Sequence, residues 1–232
     1  MRTFVIPDIH GCLKTLKLLT EVKLSVNKND RLFFLGDYID RGPDSPGVID
    51  YITNLIENGY NITCLKGNHE QMLLDSIKGD YEMNLWLMNS GFATIHQYQD
   101  QTFKIETEYG FLPEKHYNFL KSLLPYVEVD KQFLLVHGGF NYEASNPFAD
   151  ENAMLWDRPK DVPSSFMPGY KIIHGHTPRA LRSIVEEVKD SNRRIYDLDA
   201  GCVYKGLYIP GTGYLTALQL ETWTLHFVEC ID

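Results

Sequence analysis

The sequence predicts an α/β fold of mixed β-sheets flanked by helices, and three observations carry that expectation. Strand-like and helix-like segments alternate over the first 70 residues. A helical, aromatic stretch then interrupts from about 71 to 125, and strands dominate from there on, ending in a hairpin pattern. At 232 residues, 44% hydrophobic and 23% charged, the chain is long enough for one full core. No linker, repeat or low-complexity segment divides it, so we expect a single domain, 1–232, with a mainly helical inserted cap around 71–125.

The elements follow in order. "TFVI" reads as the first strand, and residues 12–22 as a helix with Leu13, Leu16, Leu19 and Val22 near a 3.6-residue period. "RLFFL" is the second strand, residues 44–58 a helix closed by Gly59, and "ITCL" the third strand. Such alternation implies βαβ units and parallel pairing. The cap carries Tyr81, Trp86, Phe92, Tyr98, Phe103, Tyr109 and Phe111; aromatics at helical spacing read first as core, and only then as a substrate groove. From 126 on, "YVEV", "FLLV", "KIIH", "RSIVEEV", "RIYDL", "YLTALQL" and "TLHFVE" read as strands, the last two as an antiparallel hairpin.

Charge narrows the partners. A net charge of −9 and a pI near 5.3 argue against gripping a nucleic-acid backbone, while leaving small anionic substrates open. No apolar run approaches the ~20 residues of a spanning helix. "MRTFVIPDIHG" has no cleavage-site pattern, so a cytoplasmic location without a membrane partner is expected. The four cysteines, Cys12, Cys64, Cys202 and Cys230, lack CxxC spacing and are expected reduced and unpaired. The sequence does not set the oligomeric state.

Five apolar strands each deliver polar residues just past their carboxyl ends. "TFVI" is followed by Asp8 and His10, "RLFFL" by Asp37, Asp40 and Arg41, and "ITCL" by Asn68, His69 and Glu70. "FLLV" runs into His137, and "KIIH" into Gly175 and His176. In open α/β sheets ligands bind at that end. Oxygen and nitrogen donors without thiolate suit Mn²⁺, Fe or Zn²⁺, and six candidate ligands are enough for two ions if one carboxylate bridges. Singly, each residue has a plainer account: Asp8, Asp37 and Asp40 as caps or turn residues, Asn68 as a helix N-cap, His137 as a core histidine.

Together, "DIHG", "GDYIDRG", "GNHE", "VHGG" and "GHT", in that order between residues 8 and 177, resemble the motif set of the PPP-type, calcineurin-like metallophosphoesterases. The resemblance implies that family's β-sandwich and a pair of divalent ions, Mn²⁺ first, with Fe or Zn²⁺ also suited. It implies that Asp8 and His10 bind one ion, that Asp37 bridges, and that Asn68, His137 and His176 complete the other. It further implies that His69 protonates the leaving group with Asp40 orienting it, and that Arg41, Arg158 (in "LWDRP") and Asn68 meet the phosphate. Hydroxide would attack phosphorus in line, with no phosphoenzyme.

Other residues keep their plainer roles. His174 is expected to pack or support a ligand, His96, His116 and His226 to be surface or structural, and Glu70 to give secondary support or start a helix. Cys12 has no arginine at the spacing a cysteine phosphatase needs. The expected function is a phosphomonoesterase acting on phosphoserine or phosphothreonine in proteins, and on phosphotyrosine as well. The alternatives are a symmetrical dinucleoside tetraphosphate hydrolase, a nucleic-acid phosphodiesterase disfavoured by charge, and a binding protein on an inactive fold. The resemblance weighs Asp40 and "GNHE" toward protein phosphatases and retention of every ligand against the inactive form. The stretch 204–213, longer than in bacterial relatives, is expected to shape the rim of the site.

Overall fold

The computed structural model describes residues 1–99, 111–207 and 209–232. Phe103 and Tyr109 of the aromatic cap, and Tyr208 of the late loop, lie outside the described residues.

Two mixed sheets form the frame. β1 (Thr3–Ile6), β2 (Arg31–Phe34) and β3 (Asn61–Cys64) are parallel, while β8 (Tyr214–Gln219) and β9 (Thr224–Glu229) add antiparallel in the order β3-β2-β1-β8-β9. The second sheet runs β4 (Tyr126–Val129), β5 (Phe133–Val136), β6 (Lys171–His174) and β7 (Ile195–Asp197), parallel except for β4.

Alternation along the strands builds the layers, because successive side chains point to opposite faces. Phe4, Ile6, Leu32 and Phe34 face the helices, whereas Val5, Phe33 and Leu35 face the second sheet and meet Leu135, Ile173 and Tyr196 there. Leu134, Val136 and Ile172 point outward into a third cluster around Phe140 and Met154. The expected sandwich of mixed sheets flanked by helices is what the strands form.

The helices are α1 (Leu13–Lys17), α2 (Ser45–Glu57), α3 (Asn68–Ser76), α4 (Asp80–Trp86), α5 (Phe92–Gln99), α6 (Glu114–Ser122), α7 (Glu151–Trp156) and α8 (Leu181–Lys189). Asp44 caps α2 by accepting from Gly47 N–H at 2.9 Å, and Gly59 follows with φ 82°. α1 runs into a π-helical turn, Leu18–Lys23, and that wider turn carries Val22 off the buried face. Val22 is 67% exposed and Leu24 is buried in its stead.

One expected strand is a helix. "RSIVEEV" lies within α8, where Leu181, Ile184 and Val188 repeat at three and four residues, with Ile184 and Val188 buried against the inter-sheet core. Its branched residues suggested a strand, but their period is helical, and Arg182 pairs Glu186 one turn on at 2.9 Å. Between 71 and 125 the described residues form the rest of α3 and then α4, α5 and α6.

Candidate active site

The parallel strands of both sheets end at one edge, and hydrogen bonds stitch the two ends together. His137 Nδ1 bonds Leu35 O at 3.0 Å, and His176 N–H donates to Asp8 Oδ1 at 3.0 Å. The loops there hold non-glycine residues at positive φ: His10 46°, Asp37 52°, Asp40 69°, Arg41 66° and His176 72°. Such conformations cost of order 1–3 kcal/mol each and persist only where surroundings enforce them.

Glu70 supplies much of that enforcement. Its buried carboxylate accepts from Asp37 N–H at 2.9 Å, Tyr38 N–H at 2.8 Å and Gly67 N–H at 2.9 Å, tying the loop after β2 to the start of α3. Burial pushes its pKa up to about 7, with these backbone donors opposing. The close approach needs glycine: a Cβ on Gly67 would lie 2.1 Å from Asp37 Oδ1, and one on Gly42 would lie 1.9 Å from His10 O.

Asn68 is the first residue of α3, with Gly67 in the N-cap position, so the plainer capping account of Asn68 does not hold. Its Oδ1 instead lies 3.0 Å from His137 Nε2. The two histidines flanking Asp37 are set alike. Nδ1 of His10 bonds Ile39 O at 2.8 Å, as His137 Nδ1 bonds Leu35 O, so in both rings Nδ1–H donates and Nε2 presents a lone pair.

Those lone pairs converge on opposite oxygens of one carboxylate, His10 Nε2 at 3.4 Å from Asp37 Oδ2 and His137 Nε2 at 3.5 Å from Asp37 Oδ1. His176 Nδ1 stands 3.2 Å from His137 Nε2, and His176 Nε2 is buried with no hydrogen-bond partner. Burial, with Arg41 next for His10 and His176 next for His137, holds both imidazoles well below their ordinary pKa. Neutral acceptors facing acceptors call for a cation between them, and at His10 Nε2 the neighbouring donor is the Arg41 guanidinium. The donor set therefore fits divalent ions on both sides of Asp37.

The acids agree. Burial raises Asp8, with Asp199 adding, and raises Asp37, with Asp8 adding, both well above the usual carboxylate range. Asp199 is pushed up to about 6, chiefly by burial. Asp8 turns its carboxylate to the His176 backbone, apart from the groups His10–Asp37–His69 and Asp37–His137–His176, whose donor atoms lie within 4.8 Å of one another.

His69 Nδ1 bonds Asp40 Oδ2 at 2.6 Å, leaving Nε2 at 4.0 Å from Asp37 Oδ2. Burial lowers the His69 pKa, and Asp40 opposes it. The Arg41 guanidinium lies over the Tyr204 ring, 5.5 Å from its centroid, which places the start of the late loop beside the site. Arg158 is exposed and lines cavities of about 550 and 630 Å³.

The structure thus gathers Asp8, His10, Asp37, Asp40, Arg41, Asn68, His69, His137 and His176, with Arg158 at the flank. His174 is buried with Nδ1 on Gly175 O at 2.9 Å, and His116 is buried between Tyr98 and Asp50. Sequence reasoning missed Asp199, whose "YDLDAG" follows the same strand-acid-glycine pattern as the candidate ligands. It also missed Trp86, which reads as cap core, and Thr94, which it did not single out. Among the described residues no helix is long and apolar enough to cross a membrane. All four cysteines are free thiols, and Cys12, Cys202 and Cys230 converge to within 4.8 Å.

A buried carboxylate shared between two histidine groups, at the strand ends of a two-sheet α/β sandwich, defines a metallophosphoesterase. The chain belongs to the calcineurin-like phosphoesterases, whose family model matches residues 1–195. It is 43% identical over 89 residues to serine/threonine-protein phosphatase 1 of Salmonella typhimurium, a match spanning 38% of each chain. It is 28% identical over 278 residues to the symmetrical bis(5'-nucleosyl)-tetraphosphatase of a Marinomonas species, covering 95% of this chain and 94% of that one. In fold it is similar to a Saccharomyces cerevisiae protein serine/threonine phosphatase, with TM-score 0.63 at 16% identity, covering 100% of this chain and 81% of the other.

Proposed function

We propose that this metallophosphoesterase is a phosphomonoesterase of the protein serine/threonine phosphatase type, with phosphotyrosine also accepted. The observation that carries this reading is the 2.6 Å bond from His69 Nδ1 to Asp40 Oδ2. It holds Nδ1–H on the carboxylate and favours the imidazolium, whose Nε2–H can then protonate a departing alkoxide, which a serine or threonine ester needs. Asp8 and His10 would hold one divalent ion, Asp37 would bridge, and Asn68, His137 and His176 would hold the other, with Mn²⁺ the expected metal. Bound, such a pair draws charge from phosphate oxygens and makes water a nucleophile near neutral pH. Arg41 can pair two phosphate oxygens with one planar fork, Asn68 adds an amide donor, and Arg158 reaches the phosphate from the flank.

A second reading, dinucleoside tetraphosphate hydrolysis, is favoured by the match to the Marinomonas enzyme along nearly its whole length. The two separate on kcat/KM for Mn²⁺-loaded protein with a phosphothreonine peptide and with diadenosine tetraphosphate. We expect the peptide to be preferred and its turnover to collapse in His69→Asn. Preference for the dinucleotide would overturn the phosphatase reading.

A further inference from the structure

The cap enters the site through Asp40. Besides His69, its Oδ2 accepts from Trp86 Nε1 at 2.8 Å, and its Oδ1 accepts from Thr94 Oγ1 at 2.5 Å. Asp40, Trp86 and Thr94 are fully buried, and His69 is 1% exposed. Trp86 is at the end of α4 and Thr94 in α5, both within the stretch that interrupts the sandwich. An indole N–H only donates, so the direction of that bond is unambiguous. A buried indole needs some acceptor, and a backbone carbonyl would serve; here it is the oxygen that also accepts from His69.

The same hydroxyl holds the backbone. Asp40, at φ 69°, donates its N–H to Thr94 Oγ1 at 3.0 Å and to Ser45 Oγ at 3.1 Å, and Ser45 Oγ lies 3.2 Å from Thr94 Oγ1. One turn on in α5, Gln97 accepts from Ser45 N–H at 2.7 Å and donates to Gly42 O at 2.7 Å, gripping the loop beyond Arg41. Trp86 is itself fixed. Phe111 stacks on it at 5.9 Å and 8°, and Gly91 lies so close that a Cβ there would come within 2.6 Å of the indole. Ser90, at φ 77°, turns the chain between α4 and α5 so that both donors reach one carboxylate.

We propose that Trp86 and Thr94 are positioning residues for the proton-donating His69, acting through Asp40, so that the inserted cap sets the acid half of the reaction. This rests on the reading of His69 as general acid. Thr94 on one carboxylate oxygen and Trp86 on the other stop rotation about Cβ–Cγ. The imidazole that Asp40 holds then keeps one orientation, and its Nε2 faces the reacting edge.

Leaving-group dependence tests this, because p-nitrophenolate departs without a proton whereas the more basic phenolate of phenyl phosphate gains from one. With Mn²⁺-loaded protein, Thr94→Val and Trp86→Phe should each lose roughly tenfold more kcat on phenyl phosphate than on p-nitrophenyl phosphate. KM should change little, and Thr94→Ser, which keeps the hydroxyl, should recover the wild-type ratio. In metal-free protein, the downfield His69 Nδ1–H proton resonance should persist in Thr94→Ser and be lost in Thr94→Val. Equal losses on both esters, or an unchanged resonance in Thr94→Val, would overturn the proposal while leaving His69 its role. An equal loss on both esters in His69→Asn would show instead that the acid assignment itself is wrong.

Discussion

Replacing Glu70 by glutamine removes one acceptor atom and changes almost nothing in size. In the native site Oε2 takes Asp37 and Gly67 N–H, while Oε1 takes Tyr38 N–H at 2.8 Å and Ile39 N–H at 3.3 Å. A glutamine offers one oxygen and one NH₂ group, so whichever way it turns, at least one good backbone donor meets another donor. A hydrogen bond to a charged group contributes roughly 1.5–3 kcal/mol, and stranding a buried N–H costs about 1–3 kcal/mol more. The two together give an expected loss of about 2.5–6 kcal/mol. For a chain of this length each kcal/mol moves Tm by about 2–4 °C, so the midpoint should fall by at least roughly 5 °C. Calorimetric melting of metal-free wild type and Glu70→Gln measures it directly, without the confounding effect of bound ions. A midpoint within about 2 °C of wild type would mean that the β2 loop does not depend on this carboxylate.

Two further outcomes follow from named contacts. His137→Ala should reduce bound Mn²⁺, counted by plasma mass spectrometry after dialysis, from two ions per chain to one; an unchanged count would remove His137 from the ligand set. Asp30 should contribute an acid-side stability term. Burial raises its pKa, but Arg2, at 3.0 and 2.6 Å, and Asn27 N–H more than offset that and hold it below its usual 3.8. A folded-state pKa below the unfolded one stabilises above the unfolded value and is lost as pH falls through the folded value. Asp30→Asn should therefore flatten the drop in Tm below about pH 4, and a parallel drop in both proteins would argue against it.

The candidate ligands were legible because each uses the same local device: an apolar strand, a polar residue just past its end, and a glycine where backbones meet. Asp8, His10, Asp37, Asn68, His137 and His176 stand among the polar residues that pattern picks out, the family resemblance implies them as ligands, and the structure brings their side chains to one edge. Asp199 uses the same device and was passed over because no motif named it. The grip on Asp40 was not legible. Trp86 reads as an ordinary core aromatic and Thr94 as an ordinary helix residue, and only the turn at Ser90 and Gly91 brings them to one carboxylate. α8 was misread because Ile184, Val185 and Val188 favour strands in composition, while the period that makes them a helix spans the whole segment. Val22 failed for a related reason, since a π-helical turn breaks the 3.6-residue count from within.

Strand order has a consequence for how the molecule is made. β1 sits in the middle of its sheet, yet the neighbour that covers one of its edges is β8, Tyr214–Gln219. On the ribosome, β1, β2 and β3 can pair as soon as they emerge, but an open strand edge and the bare faces of Val5, Phe33 and Leu35 must wait. The second sheet comes next and the closing hairpin last. Long-range pairings of this kind fold slowly, and unpaired edges recruit other chains. The last potential metal ligand, His176, also arrives late, so ions cannot assist the early steps by completing their cage. Products of interrupted translation that stop short of Tyr214 keep the edge exposed and are expected to aggregate, which makes the final hairpin the step that protects everything built before it.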